Sequence, residues 1–135
     1  MKKLILAFIV LSLLLPACKK EEKEKTYPQI LLGALDKGKI DRTKDDLKAI
    51  ADALSSYQAD TGSYPVGEGV GVLKSALSPN YLVLLPERDA WGNPFSYHSN
   101  GRSYRIVAPG KDGQEGTADD IVLSDGMIVS SPKLR

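Results

Sequence analysis

The chain of 135 residues is 42% hydrophobic and 26% charged, and its eighteen Lys+Arg and seventeen Asp+Glu give a formal net charge of +1. That near balance excludes the basic footprint of a nucleic-acid binder and the polybasic patch of a protein drawn to an anionic bilayer by charge. The length suits one small domain, and a single cysteine, Cys18, excludes an intrachain disulfide and a His/Cys zinc cluster.

The first element is a leader. Lys2-Lys3 precede the apolar run Leu4 to Leu15, which closes on Leu15-Pro16-Ala17-Cys18. Twelve helical residues span about 18 Å, well short of the roughly 30 Å hydrocarbon core of a bilayer. The run therefore reads as a cleavable signal peptide over 1–17, with Cys18 at the cut carrying the lipid. The alternative is an ordinary secretory leader with a chance cysteine; Pro16 is a less usual neighbour in a lipoprotein box. With Lys2 and Lys3 removed, sixteen basic residues face seventeen acidic ones. Lys19 to Lys25 is charged throughout and buries nothing, so 18–25 reads as lipidated cysteine plus solvated tether. By resemblance to diderm lipoproteins, Lys19 after the cysteine implies an outer-membrane anchor facing the periplasm.

A single domain is expected over 26–135. Thr26-Tyr27-Pro28-Gln29 has the form of a helix capping box. Ile40, Leu47, Ile50, Leu54 and Tyr57 recur at helical spacing and draw one apolar stripe, with Asp45, Asp46, Lys48 and Asp52 off it. Gly33 and Gly38 weaken the stretch before Asp41, where a bend or a late start is expected. Gly62 and Tyr64-Pro65 end the helix. Gly67 to Gly71 reads as flexible chain, and Val70, Leu73 and Leu77 predict a short helix stopped by Pro79. After the Trp91-Gly92-Asn93-Pro94 turn the period changes to two. Phe95 and Tyr97, then Tyr104 and Ile106, predict a β-hairpin around Asn100-Gly101. Ile121 to Leu123 and Met127 to Val129 add one or two short strands around Asp125-Gly126. The expected fold class is α+β: a long N-terminal helix packed on a small antiparallel β-sheet.

The strongest chemical signal is the segment from Pro109 to Asp120, with Asp112, Glu115, Asp119 and Asp120 among three glycines. Clustered carboxylates repel unless neutralised, and hard oxygen donors suit Ca²⁺. The spacing departs from the EF-hand pattern, and an acidic solvent-exposed connection, for which Asp-Gly pairs are ordinary turn chemistry, explains the composition more readily. His98 reads as a solvated strand residue rather than a base or metal ligand. Trp91, Tyr97 and Tyr104 offer either an aromatic platform for peptide or glycan or, more commonly, core packing. A Gly-x-Ser-x-Gly elbow is missing, and the chain reads as non-enzymatic.

Four segments occur together and in order: Leu54-Ser-Ser-Tyr-Gln-Ala-Asp-Thr-Gly-Ser-Tyr-Pro65, Tyr81-Leu82 to Leu85-Pro86, Asp89-Ala-Trp-Gly-Asn-Pro-Phe-Ser-Tyr97, and Asp112-Gly to Gly-Thr-Ala-Asp-Asp-Ile121. They resemble the major pseudopilin family of bacterial type II secretion systems, from about Pro28 to Ile128. The resemblance implies a long helix against a short antiparallel sheet, and a structural calcium ion in the loop near the C-terminus. Carried over by position, it puts calcium ligands at the side chains of Asp112, Asp119 and Asp120 and at the Pro109 carbonyl. It also implies partners among secretion or pilus proteins. The N-terminus departs from the family, whose members carry a prepilin cleavage site and an apolar helix with an early Glu. Leu4 to Leu15 holds no acid and ends at Cys18, so the reading is a pseudopilin-like head on a lipid anchor, and filament assembly is not carried over.

Overall fold

A computed structural model describes residues 25–133; the signal peptide, Cys18 and most of the tether lie outside the described residues. The first element, α1, is one 35-residue helix, Tyr27–Thr61. The Thr26 N–H donates to Gln29 Oε1 at 3.1 Å, the reciprocal half of the expected capping box. Gly62, at φ +88°, closes the far end and donates its N–H to Gln58 O. The expected late start does not occur: α1 runs unbroken through Gly33 and Gly38. Each glycine costs about 1 kcal/mol against alanine in a helix, a cost spread over a 35-residue helix of about ten turns.

β1 (Gly67–Glu68), α2 (Val70–Leu77), β2 (Ser96–Ser99), β3 (Tyr104–Ala108), β4 (Ile121–Ser124) and β5 (Met127–Ser130) follow. The strands form a five-stranded antiparallel sheet in sequence order, β1-β2-β3-β4-β5. β1 corrects the flexible reading of Gly67 to Gly71: Gly67 pairs with Ser99 and Glu68 with His98. A two-residue edge strand leaves no alternation to read, so its pairing is decided by β2 and not by local pattern.

The period-2 reading explains the core. Tyr97, Ile106 and Leu123 are direct cross-strand neighbours on one face, continued by Ile128. The first three are buried, and they meet Ile40, Leu47, Ile50 and Leu54 of α1 and Leu73 and Leu77 of α2. Tyr97 donates its hydroxyl to Pro65 O at 2.7 Å, and Tyr104 packs edge-on to Tyr64 with centroids 4.7 Å apart. Both tyrosines are spent on the interior, which removes two of the three rings of an aromatic binding platform. His98 is exposed, with Nδ1 3.1 Å from Glu68 Oε1 across the β1–β2 edge.

Candidate functional site

The loop between β3 and β4 is positioned from two sides. On one side lies the Asp89–Pro94 turn. Asp89 is 5% exposed, a poor place for a carboxylate unless its lone pairs are filled. They are: Oδ1 accepts the Trp91 N–H at 3.0 Å and the Asn93 N–H at 2.9 Å. Oδ2 accepts the Gly110 N–H at 2.9 Å and Asn93 Nδ2–H at 3.4 Å. Asn93 Nδ2 also donates to Gly110 O. Asp89 and Asn93 thus clamp both backbone polar groups of Gly110, the residue that opens the loop. The turn is itself fixed to α1, because the Ala90 N–H donates to the buried Thr43 Oγ1 at 3.1 Å.

On the other side, Lys111 Nζ pairs with Asp36 Oδ2 of α1 at 3.1 Å. Gly110 sits at φ +74°, and a Cβ there would collide with the backbone oxygen of Asp119. Only glycine brings the two arms of the loop this close. A 3₁₀ turn, Gly110–Asp112, then runs into Gly113 at φ +69°.

The four predicted ligand residues all fall in this loop, and the acids share the work of folding it. Asp119 Oδ2 accepts the Asp112 N–H at 3.0 Å, and Asp112 Oδ1 accepts the Gln114 N–H at 2.9 Å. Asp120 Oδ2 accepts the Gly116 N–H at 2.7 Å, while its Oδ1 lies 3.5 Å from Thr117 Oγ1. Asp120 and Pro109 are buried, Asp119 is half-buried, and Asp112 and Glu115 are exposed. Among the described residues, no three His, Cys, Asp or Glu side chains gather around one point. The donor chemistry nevertheless suits a hard cation. Asp112 and Asp119 each commit one carboxylate oxygen to a backbone N–H and keep the other outside these bonds, and Asp120 adds only the long Thr117 contact.

Sequence reasoning singled out the acids of the loop and passed over Asp89, whose role is to hold the loop in place. A buried, fully bonded acid leaves no mark in composition. Its signal was local: an Asp two and four residues ahead of backbone donors in a turn closed by Gly92, at φ +92°, is Asx-turn chemistry.

Trp91 is half-buried beside the turn, with Lys39 Nζ 5.9 Å from its ring centre. It carries no platform alone, and its indole Nε1 is buried without a hydrogen-bond partner.

Comparison with known proteins agrees with this architecture. The profile of the family described as Type II secretion system (T2SS), protein G, matches residues 30–124. Type II secretion system core protein G of Pseudomonas aeruginosa is 34% identical over 106 residues, covering 69% of this chain and 73% of the relative. The protein of the same name from Aeromonas hydrophila is 34% identical over 104 residues, covering 67% and 72%. The crystal structure of the major pseudopilin from the type 2 secretion system of enterohaemorrhagic Escherichia coli superposes with a TM-score of 0.55 at 30% identity, covering 68% of this chain and 91% of that one. The helix and the antiparallel sheet agree with that solved pseudopilin, and the chain belongs to the type II secretion system protein G family, the major pseudopilins.

Proposed function

We propose that this chain is a lipid-anchored, non-enzymatic component of the type II secretion machinery, a protein G-type head held at the cell envelope by an acylated Cys18. The observation that carries the reading is where the family match falls. It covers residues 30–124 and leaves the leader and tether outside. That outer segment closes an apolar run on Leu-Pro-Ala-Cys and offers no acid within Leu4 to Leu15. Lys19 after the cysteine favours the outer membrane, with the head facing the periplasm. The head then contacts secretion-system subunits from a tether, without the apolar helix through which relatives enter a filament.

Calcium belongs to the same proposal. The side chains of Asp112, Asp119 and Asp120 and the carbonyl of Pro109 would hold it. The ion supplies positive charge to a loop that concentrates carboxylates, a structural service and not a reaction. Support comes from the donor chemistry and from the clamp at Gly110, which fixes one arm of the loop before any ion binds. An unrelated capture of peptide or glycan is disfavoured by the burial of Tyr97 and Tyr104.

Crosslinking in intact cells followed by purification of the full chain tests the functional reading. Recovery of type II secretion subunits, reduced by Cys18→Ser, is the expected result. Recovery of none of them, from cells in which the secretion system is expressed, would overturn it.

A further inference from the structure

The exposed start of α1 carries an apolar stripe that the head cannot cover. Tyr27 is 80% exposed, Ile30 56%, Leu31 53% and Leu35 56%. With Ala34 they follow helical spacing and lie on one arc of the helix, while Leu32, 60% exposed, stands about 60° beyond the Leu35 edge of that arc. At about 100° per residue, the centre of that arc is roughly half a turn from Ile40, Leu47 and Leu54, which face the core. The ion pair of Asp36 with Lys111 confirms the geometry, since it ties the opposite side of the same turns to the head. The stripe is therefore no continuation of the core stripe. Asp41, Asp45 and Asp52 take over the outer face beyond it and end it abruptly.

We propose that this stripe lies in the interfacial layer of the bilayer to which the N-terminus is attached, so that α1 contacts lipid over its first turns and holds the head at a fixed orientation. Three observations favour lipid over a second copy of the chain. Eight residues separate Cys18 from Tyr27, which reach at most about 28 Å when extended, so attachment keeps the stripe beside the membrane. The stripe covers nine residues, some 13 Å of helix, too short for the three or four heptads that sustain helix pairing. Aromatic and aliphatic side chains on one face with polar residues behind are the make-up of an interfacial helix. Among the described residues no helix is long and apolar enough to cross a membrane, so the stripe lies on the bilayer and does not span it. The proposal rests on N-terminal attachment and is independent of the calcium site and of the secretion partners.

The test uses the full chain reconstituted into vesicles of phosphatidylethanolamine and phosphatidylglycerol, with and without phospholipid brominated near the headgroup. Leu31→Trp reports on the stripe, and Gly33→Trp reports on another face of the same turn, where a side chain meets open space. The unsubstituted protein supplies the background of its one tryptophan, Trp91. Leu31→Trp emission is expected to shift to the blue and to be quenched at least twofold more by brominated lipid than Gly33→Trp. If both remain equally open to an aqueous quencher while the protein floats with the vesicles, the stripe proposal fails and the attachment stands. A blue shift without bromine quenching that grows with protein density identifies a second copy as the occupant and overturns the lipid assignment. A chain that does not float overturns both the stripe and the attachment.

Discussion

Replacing Asp89 tests the idea that one buried carboxylate holds the loop in place. Asp89→Ala strips acceptors from the backbone N–H groups of Trp91, Asn93 and Gly110 at once. A hydrogen bond to a charged acceptor is worth about 1.5–3 kcal/mol, and an abandoned buried donor costs about 1–3 kcal/mol. Trp91 and Asn93 are half-buried and find water in part, whereas Gly110 is buried and does not. A total loss of about 3–4 kcal/mol follows, which lowers the thermal midpoint by roughly 10–20 °C in a domain of this size. Asp89→Asn should cost less. Its Oδ1 still accepts from Trp91 and Asn93, while its amide turns a donor toward the Gly110 N–H. The assay is thermal unfolding of both variants by circular dichroism, with amide hydrogen exchange read at Gly110 to Gly116. Exchange in that loop should accelerate in Asp89→Asn while the core positions Leu47 and Ile106 stay protected. Midpoints unchanged within a few degrees in both variants would refute the clamp.

Other outcomes follow from the same structure. Calcium a hundredfold above its dissociation constant should stabilise the detergent-extracted full chain by about 2.7 kcal/mol, more than magnesium at equal ionic strength; Asp119→Ala or Asp120→Ala should remove most of the difference, as thermal melts would read. Gly110→Ala should destabilise by more than the ordinary cost of a left-handed alanine, about 1–2 kcal/mol, because its Cβ meets the Asp119 backbone, and chemical denaturation measures it. Burial, chiefly, pushes the Tyr104 phenol up to about 12, from the ordinary tyrosine value of about 10. An acid group that is harder to ionise when folded contributes stability below its unfolded pKa and loses it as pH climbs toward the folded one. Denaturation midpoints should therefore fall between about pH 10 and 12, and Tyr104→Phe should flatten that fall.

The fold was legible wherever one face of an element is buried. The stripe from Ile40 to Leu54 and the alternation Tyr97, Tyr104, Ile106 each carry one periodicity, and they specify the long helix and the hairpin. α2 was equally plain, because Val70, Leu73 and Leu77 share a face and Pro79 stops the chain. β1 was invisible, since Gly67–Glu68 is a strand only through its register with Ser99 and His98. The first turns of α1 misled in a different way. Gly33 and Gly38 argued locally against helix, yet a propensity deficit does not break a helix already nucleated by its neighbours. In the loop, the candidate ligand residues were named from charge and resemblance, and among the described residues no three acidic side chains gather around one point. Asp89 and Asn93, which hold that loop, stood outside it in sequence and became visible only with the contacts to Gly110.

The central proposal, a protein G-type head held by lipid, is tested most directly by the intact mass of the protein extracted from native membranes. An acylated anchor predicts a chain that begins at Cys18 and carries a diacylglycerol-modified thiol, with the modification lost in Cys18→Ser. A chain that retains residues 1–17, or one cut elsewhere with an unmodified Cys18, would contradict it.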